Sequence, residues 1–165
     1  MRHTFQDPEL ARMAVIAAKY GARMGYVDAQ NLFSDAQALT VTAVSTNIID
    51  HGQDRNIGVG TPLAVVVTVD VAAAGGGTLT IAVQGDDNSG FASPGTVATT
   101  AAIAAATLVA GYQLVIPLGP DTLTERFTRL NYTMATMTGI TVTAYLAPLD
   151  QIQIAPQYAA GVTVQ

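Results

Sequence analysis

The sequence predicts an all-β antiparallel sandwich of about eight strands, preceded by a helical arm and followed by an extended tail. Two observations carry this. From residue 38 onward, apolar and polar residues alternate in short runs, which is the period of half-buried strands. Clusters of Gly, Pro, Asn and Asp separate those runs, as turns between strands require. The chain divides into an arm at 1–30, a sandwich at 31–147 and a tail at 148–165. It has 165 residues, enough for one domain that buries a core without metals or disulfides.

The arm comes first. Asp7 is a capping residue, Pro8 fits the first helical position, and Glu9 suits the positive end of a helix. Leu10, Met13, Ala14, Ala17, Gly21 and Met24 then recur at helical spacing and form one narrow, small-residue face. Arg12, Lys19 and Arg23 lie on another. Such a stripe packs closely on something, either its own domain or a neighbour.

The strands follow. Leu39, Val41 and Ala43 alternate with Thr40 and Thr42. Leu63, Val65, Val67 and Val69 alternate with Ala64, Val66, Thr68 and Asp70. Leu79, Ile81 and Val83 share one face, as do Tyr112, Leu114, Ile116 and Leu118. Leu130, Tyr132 and Met134 lie opposite Arg129, Asn131 and Thr133. Ile140, Val142, Ala144 and Leu146 lie opposite Thr141, Thr143 and Tyr145. Residues 46–50 and 96–105 are weaker strand candidates. Eight strands in two packed sheets is the arrangement of a jelly roll. Val66, Val115 and Tyr145 fall on the faces opposite the core rows, and this surplus apolar surface is expected to serve self-association as a dimer or trimer.

The tail beyond Asp150 carries no charge, yet holds Ile152, Ile154, Tyr158, Val162 and Val164. A segment of this kind lies along its own sheet edge or along a neighbour as an extended strand.

Composition narrows the function. Hydrophobic residues make up 50% and charged residues only 12%, about half the usual charged share. A surface with so few charges is expected to be covered in an assembly. Net charge is −5, which argues against nucleic acid, since phosphate contacts need clustered Lys and Arg. The arm is near neutral, with Arg2, Arg12, Lys19 and Arg23 against Asp7, Glu9 and Asp28. The rest has Arg55, Arg126 and Arg129 against the other nine of the 12 acids. There is no cysteine, so thiolate sites and disulfides are excluded. No secretory signal is expected, because Asp7 and Glu9 precede the short apolar run at 13–18 and Lys19 follows it. Residues 88–120 are uncharged and long enough for a bilayer. They are mainly Ala, Thr and Gly, broken by Pro94, Gly95 and Gly111, and no membrane span is expected.

Candidate chemistry is sparse. His51 sits in an Asp-rich loop, and a hydrolase would pair it with Ser45 or Ser89. No Gly-x-Ser-x-Gly elbow is present, and nothing points to a fixed triad. Asp86-Asp87-Asn88-Ser89-Gly90 offers oxygen ligands, but Phe91-Ala92-Ser93 follows where a calcium loop needs a closing glutamate. A plain turn is expected there. Gly75-Gly76-Gly77 lacks the Lys-Ser/Thr of a phosphate loop. The expectation is therefore no enzyme activity, no metal and no cofactor. In 126–132, Leu130 and Tyr132 face the core and Arg129 faces solvent. An alternative puts Arg129 and Asn131 on a carbohydrate-binding face, but sugar platforms are usually aromatic and the chain has no Trp.

The segments at 32–38, 45–50, 56–63, 110–113 and 125–133 occur in an order that resembles the jelly-roll capsid cement proteins of tailed phages. Leu32-Phe33-Ser34-Asp35, Asn56-Ile57-Gly58 and Arg126-Phe127-Thr128-Arg129-Leu130-Asn131-Tyr132 are the most telling. The resemblance spans roughly residues 31–147. It implies a structural domain without catalytic residues that binds the outside of an icosahedral shell and stabilises it against internal DNA pressure. It also implies the major capsid protein as partner, and a place on the virion after assembly in the host cytoplasm. Both termini exceed the family pattern, and attachment is expected from them. Arg12, Met13, Lys19, Arg23 and Met24 in the arm, and Ile152, Ile154 and Tyr158 in the tail, are the candidate contacts.

Overall fold

The computed structural model describes residues 28–152, apart from 55, 57 and 59. The helix expected at 8–24 lies outside those residues, as does all of the tail beyond Ile152.

Among the described residues ten antiparallel strands form two sheets. They are β1 (Leu32–Leu39), β2 (Ala43–Val44), β3 (Ile49–Asp50), β4 (Leu63–Ala74), β5 (Thr78–Asp86), β6 (Gly95–Thr99), β7 (Ile103–Ala104), β8 (Gln113–Pro117), β9 (Phe127–Ala135) and β10 (Gly139–Pro148). One sheet has the order β1-β10-β4-β8. The other has β2-β9-β5-β6, with β3 also on β9 and β7 also on β5. The pairs β2/β3 and β6/β7 each lie along one partner strand, so each acts as a single interrupted strand. Counted that way, eight strand positions remain.

The long strands β4, β5, β9 and β10 follow the alternation in the sequence. Val65, Val67, Val69, Leu79, Ile81, Val83, Leu130, Tyr132, Val142 and Ala144 are all buried in one core between the sheets. Burying a Val or Leu side chain contributes about 1.5–3 kcal/mol, so these inward rows are the main source of stability. At the β4–β5 hairpin the backbone needs glycine. Gly77 has φ +101, and a Cβ there would run into the Ala135 carbonyl.

Two expectations are corrected. Residues 39–43 do not form one strand: the chain bends at Thr40–Thr42, and Val41 is 67% exposed. The strand there is β1, which starts at Leu32 and ends at Leu39. Its period is broken by bulges against β10 between Leu32 and Ser34 and between Ser34 and Gln37. Ala36 has φ 45, a conformation non-glycine residues rarely adopt. Its N–H donates to Thr143 Oγ1 at 3.0 Å. The bulges let both Phe33 and Ser34 be buried. Ser34 Oγ then meets the Tyr132 hydroxyl at 2.8 Å and donates to Gln37 Oε1 at 2.7 Å. That bond ties β1 to β9 across the two sheets, and burial pushes the Tyr132 phenol pKa upward.

The second correction concerns the start of the tail. Leu149–Gln151 forms a 3-10 turn, held by the Leu149 N–H donating to the Pro62 carbonyl at 2.8 Å. Residues 88–120 contain β6, β7, β8 and turns. Among the described residues no helix is long and apolar enough to cross a membrane.

Candidate functional site

The outer face of the four-stranded sheet brings together residues that are far apart in sequence. Tyr145 lies opposite Val66, Val66 opposite Val115, and Leu32 opposite Tyr145. Leu32, Tyr145, Val66 and Val115 thus form one apolar row across all four strands. A second row, Ala147, Ala64 and Pro117, runs beside it. On the other side stands a polar row of Thr143, Thr68 and Gln113, where Thr143 Oγ1 donates to the Asp70 carboxylate at 2.6 Å.

Three of the residues in the first row were expected on outward faces; the register makes them neighbours. Their exposure is unequal. Val115 and Tyr145 are partly exposed, and burial raises the Tyr145 phenol pKa. Val66 and Ala64 are both 0% exposed. Neither belongs to the core cluster, whose β4 members are Val65, Val67 and Val69. Val66 therefore offers no free surface to a partner. Leu32, Ala64 and Ala147 were missed as members of this face. Ala64 shares the alternation of Val66, but Leu32 could be placed only by knowing its register.

The ends of the described chain lie beside these rows. Asp28 caps a 3-10 turn at Ala29–Asn31, accepting from the Gln30 N–H, and β1 begins at once. Its first residue pairs with Tyr145, three positions before β10 ends at Pro148. Segments 1–27 and 153–165 therefore join the body at the same end of the four-stranded sheet, on adjacent strands. Arg12, Met13, Lys19, Arg23, Met24, Ile154 and Tyr158 lie outside the described residues. Ile152 is described, partly buried, at the end of the 3-10 turn.

The outer face of the six-stranded sheet is polar. Thr80 pairs with Thr133, Ala82 with Asn131 and Gln84 with Arg129. Arg129 Nε donates to Gln84 Oε1 at 2.9 Å, and its guanidinium lies 4.1 Å from the Phe91 ring centroid. Phe91 is only 6% exposed, so its ring is closed to a sugar by the arginine above it. None of the described Phe and Tyr residues is more than partly exposed. On the same face Arg126 makes a two-pronged ion pair with Asp50, at 2.8 and 2.9 Å. That hydrogen bond holds the Asp50 carboxyl down at about 2.

The candidate chemical residues are occupied structurally. Asp86 accepts from the Asn88 N–H at 2.8 Å and the Ser93 N–H at 2.9 Å. The Asn88 side chain accepts from the Gly90 N–H. Those backbone bonds, the Asn88 N–H first, lower the Asp86 pKa, while hydrogen bonding to Asp86 raises that of Asp87. This is turn chemistry. Among the described residues no group of three or more His, Cys, Asp or Glu could hold a metal. His51 Nε2 meets Thr128 Oγ1 at 3.0 Å. Ser45 Oγ donates to the Asn47 carbonyl and accepts from the Leu130 N–H. The two best-formed hollows, of about 320 and 240 Å³, are shallow. They are lined by Ala, Gly, Thr, Val, Leu and Ile, with no titratable side chain.

The fold and its surfaces define a two-sheet antiparallel β-sandwich with one apolar and one polar outer face. The chain belongs to the Bbp16 family, whose model matches residues 33–146. No curated protein matches it.

Proposed function

We propose that this chain is a structural cement protein that binds the outer surface of a tailed-phage icosahedral capsid and stabilises it. The observation that carries this reading is the placement of the chain ends. Segments 1–27 and 153–165 leave together from one end of one sheet, beside its apolar face. A sandwich of this form presents the start of β1 and the end of β10 on adjacent strands at one end of one sheet. The strand order β1-β10-β4-β8 over β2-β9-β5-β6 supports reading the sandwich as a jelly roll. The family name Bbp16 points toward phage proteins. The proposed partners are the major capsid protein and further copies of this chain.

Attachment is assigned to Arg12, Lys19 and Arg23 in the first segment and to Ile154 and Tyr158 in the second. The acidic body supplies little attraction toward an acidic shell, whereas the three cations do. The test compares the intact chain, the triple variant Arg12→Glu, Lys19→Glu, Arg23→Glu, and a chain ending at residue 152. Each is added to shells lacking this protein, and bound copies per shell are counted. The intact chain binds to saturation and each variant binds less. If the intact chain does not saturate, or both variants bind as fully as it does, the reading fails.

A further inference from the structure

We propose that the free edge of β8 docks a second copy of this chain, the two β8 strands pairing antiparallel about a two-fold axis at Val115. The argument starts from the parity of the ladder. In an antiparallel pair, opposite residues alternate between those that exchange both backbone bonds and those that exchange none. The Leu118 N–H donates to the Leu63 carbonyl and the Val69 N–H to the Tyr112 carbonyl, both at 2.9 Å. In the β4–β8 register, these bonds make Val65–Ile116 and Val67–Leu114 the bonded pairs. Gln113, Val115 and Pro117, opposite Thr68, Val66 and Ala64, therefore turn their backbone groups away from β4. β8 ends the strand order of its sheet, and among the described residues no partner bonds to those groups.

The other sheet edges are closed or broken. On β1 the Asn47 N–H and the Thr46 hydroxyl both donate to the Phe33 carbonyl, and the Asn47 amide donates to the Leu32 carbonyl. β2, β3 and β7 have two residues each, and β6 carries a register shift. β8 pairs without one, and the chain from 88 to 120 has no charge. Edges are normally blunted by charges, bulges or a covering segment; β8 has only Pro117, at its end. Two identical uncharged edges meet without like-charge repulsion, as an isologous contact requires. With the axis at Val115, each Val115 N–H donates to the partner's Val115 carbonyl. Each Gln113 N–H donates to the partner's Pro117 carbonyl. Proline has no N–H, so every outward donor of both strands is used. Leu114 then lies opposite the partner's Ile116 on the inner face. On the outer face the row Leu32, Tyr145, Val66, Val115 continues into the second copy, and the partly exposed Val115 is covered. This inference does not rest on the capsid reading, and its test uses the purified full chain alone.

Sedimentation over a range of concentrations is expected to show a monomer–dimer equilibrium. Val115→Pro removes the central donor without touching a bond to β4. It is expected to weaken the dimer by about tenfold or more, since two backbone bonds across the axis are lost. Thr99→Pro is the control. The Thr100 N–H donates to the Ile81 carbonyl, so the Thr99 N–H also points outward, from β6, and the dimer keeps its natural affinity. Should Val115→Pro lower the melting temperature, Val115→Lys replaces it and sets two ammonium groups side by side at the axis. The register is read by thiols, because the natural chain has no cysteine. Opposite residues of a bonded pair have Cα atoms about 5.5 Å apart, within disulfide reach. Val115→Cys therefore oxidises to a dimer several-fold faster than Gln113→Cys, whose two copies stand on opposite sides of the axis. A chain that stays monomeric, a trimer, or a dimer weakened by neither Val115→Pro nor Val115→Lys overturns the proposal. So does Gln113→Cys oxidising as fast as Val115→Cys. Dimerisation only after removal of residues 1–27 or 153–165 also overturns it, and assigns the edge to a segment of the same chain.

Discussion

The two outward faces of the sandwich share one backbone geometry and differ in what stands on it. Along the middle of the six-stranded sheet, Thr80, Ala82, Gln84, Arg129, Asn131 and Thr133 all keep some contact with solvent. Along the four-stranded sheet the corresponding central positions are Ala64 and Val66, with no exposure at all. A strand with one solvated face alternates apolar and polar; one buried on both sides reads as a continuous apolar run. Segment 63–67, Leu-Ala-Val-Val-Val, is of the second kind, and β9 is of the first. The difference teaches that the outer face of one sheet is apolar and closed at Ala64 and Val66, while that of the other is polar and open to solvent.

The largest expected effect comes from placing a charge on each face. Val66→Lys is expected to cost several kcal/mol, because an unpaired ammonium is forced into an apolar site. Asn131→Lys, on the polar face, is expected to stay within about 0.5 kcal/mol of the natural chain. Denaturant unfolding of both variants gives the numbers. Equal stability of the two would erase the contrast between the faces.

A gentler pair sharpens it. Val65 and Val66 are adjacent, both 0% exposed, one toward the core and one away from it. If the outer cover is as close-packed as the core, Val65→Ala and Val66→Ala each cost about 2 kcal/mol, the value of the buried methyl groups removed. A Val66→Ala cost near zero would show that the cover is loose.

How much of this was legible in the sequence depended on what each strand touches. The strands β4, β5, β9 and β10 were legible because their inward rows are unbroken runs of Val, Leu, Ile and Tyr. The strand β1 was not, because Ala36 at φ 45 and the bulges beside it shift the period. Val41 looked like a strand residue by its alternation with Thr40 and Thr42, yet it sits at an exposed bend. The candidate face was legible in its members and not in its assembly. Val66, Val115 and Tyr145 each read as outward, but only strand pairing makes them one row. That Val66 is also roofed could not be read at all, since alternation gives the side of a sheet and not what lies over it.

The smallest effect is expected on the polar face. Asp50 is held at about 2 by its hydrogen bond to Arg126, below the ordinary 3.8. A depressed carboxyl contributes stability above its unfolded pKa and loses it as pH falls through the folded value. The Asp50–Arg126 contribution is thus present at neutral pH and fades between about 3.8 and about 2. Both side chains are more than two-fifths exposed, at 43% and 45%, so solvent screens the pair and its contribution is small. Melting of Asp50→Asn beside the natural chain from neutral pH to pH 2 checks this. The small gap between them closes on acidification; a gap that widened would have the wrong sign.

The central claim is that this chain strengthens a shell from outside. It is tested most directly by heating DNA-filled shells that lack the protein, with and without the purified chain, and recording the temperature at which DNA is released. The account predicts that release moves to higher temperature and that the shift saturates once the outer sites are filled. Release at an unchanged temperature, with the chain bound to saturation, would contradict it.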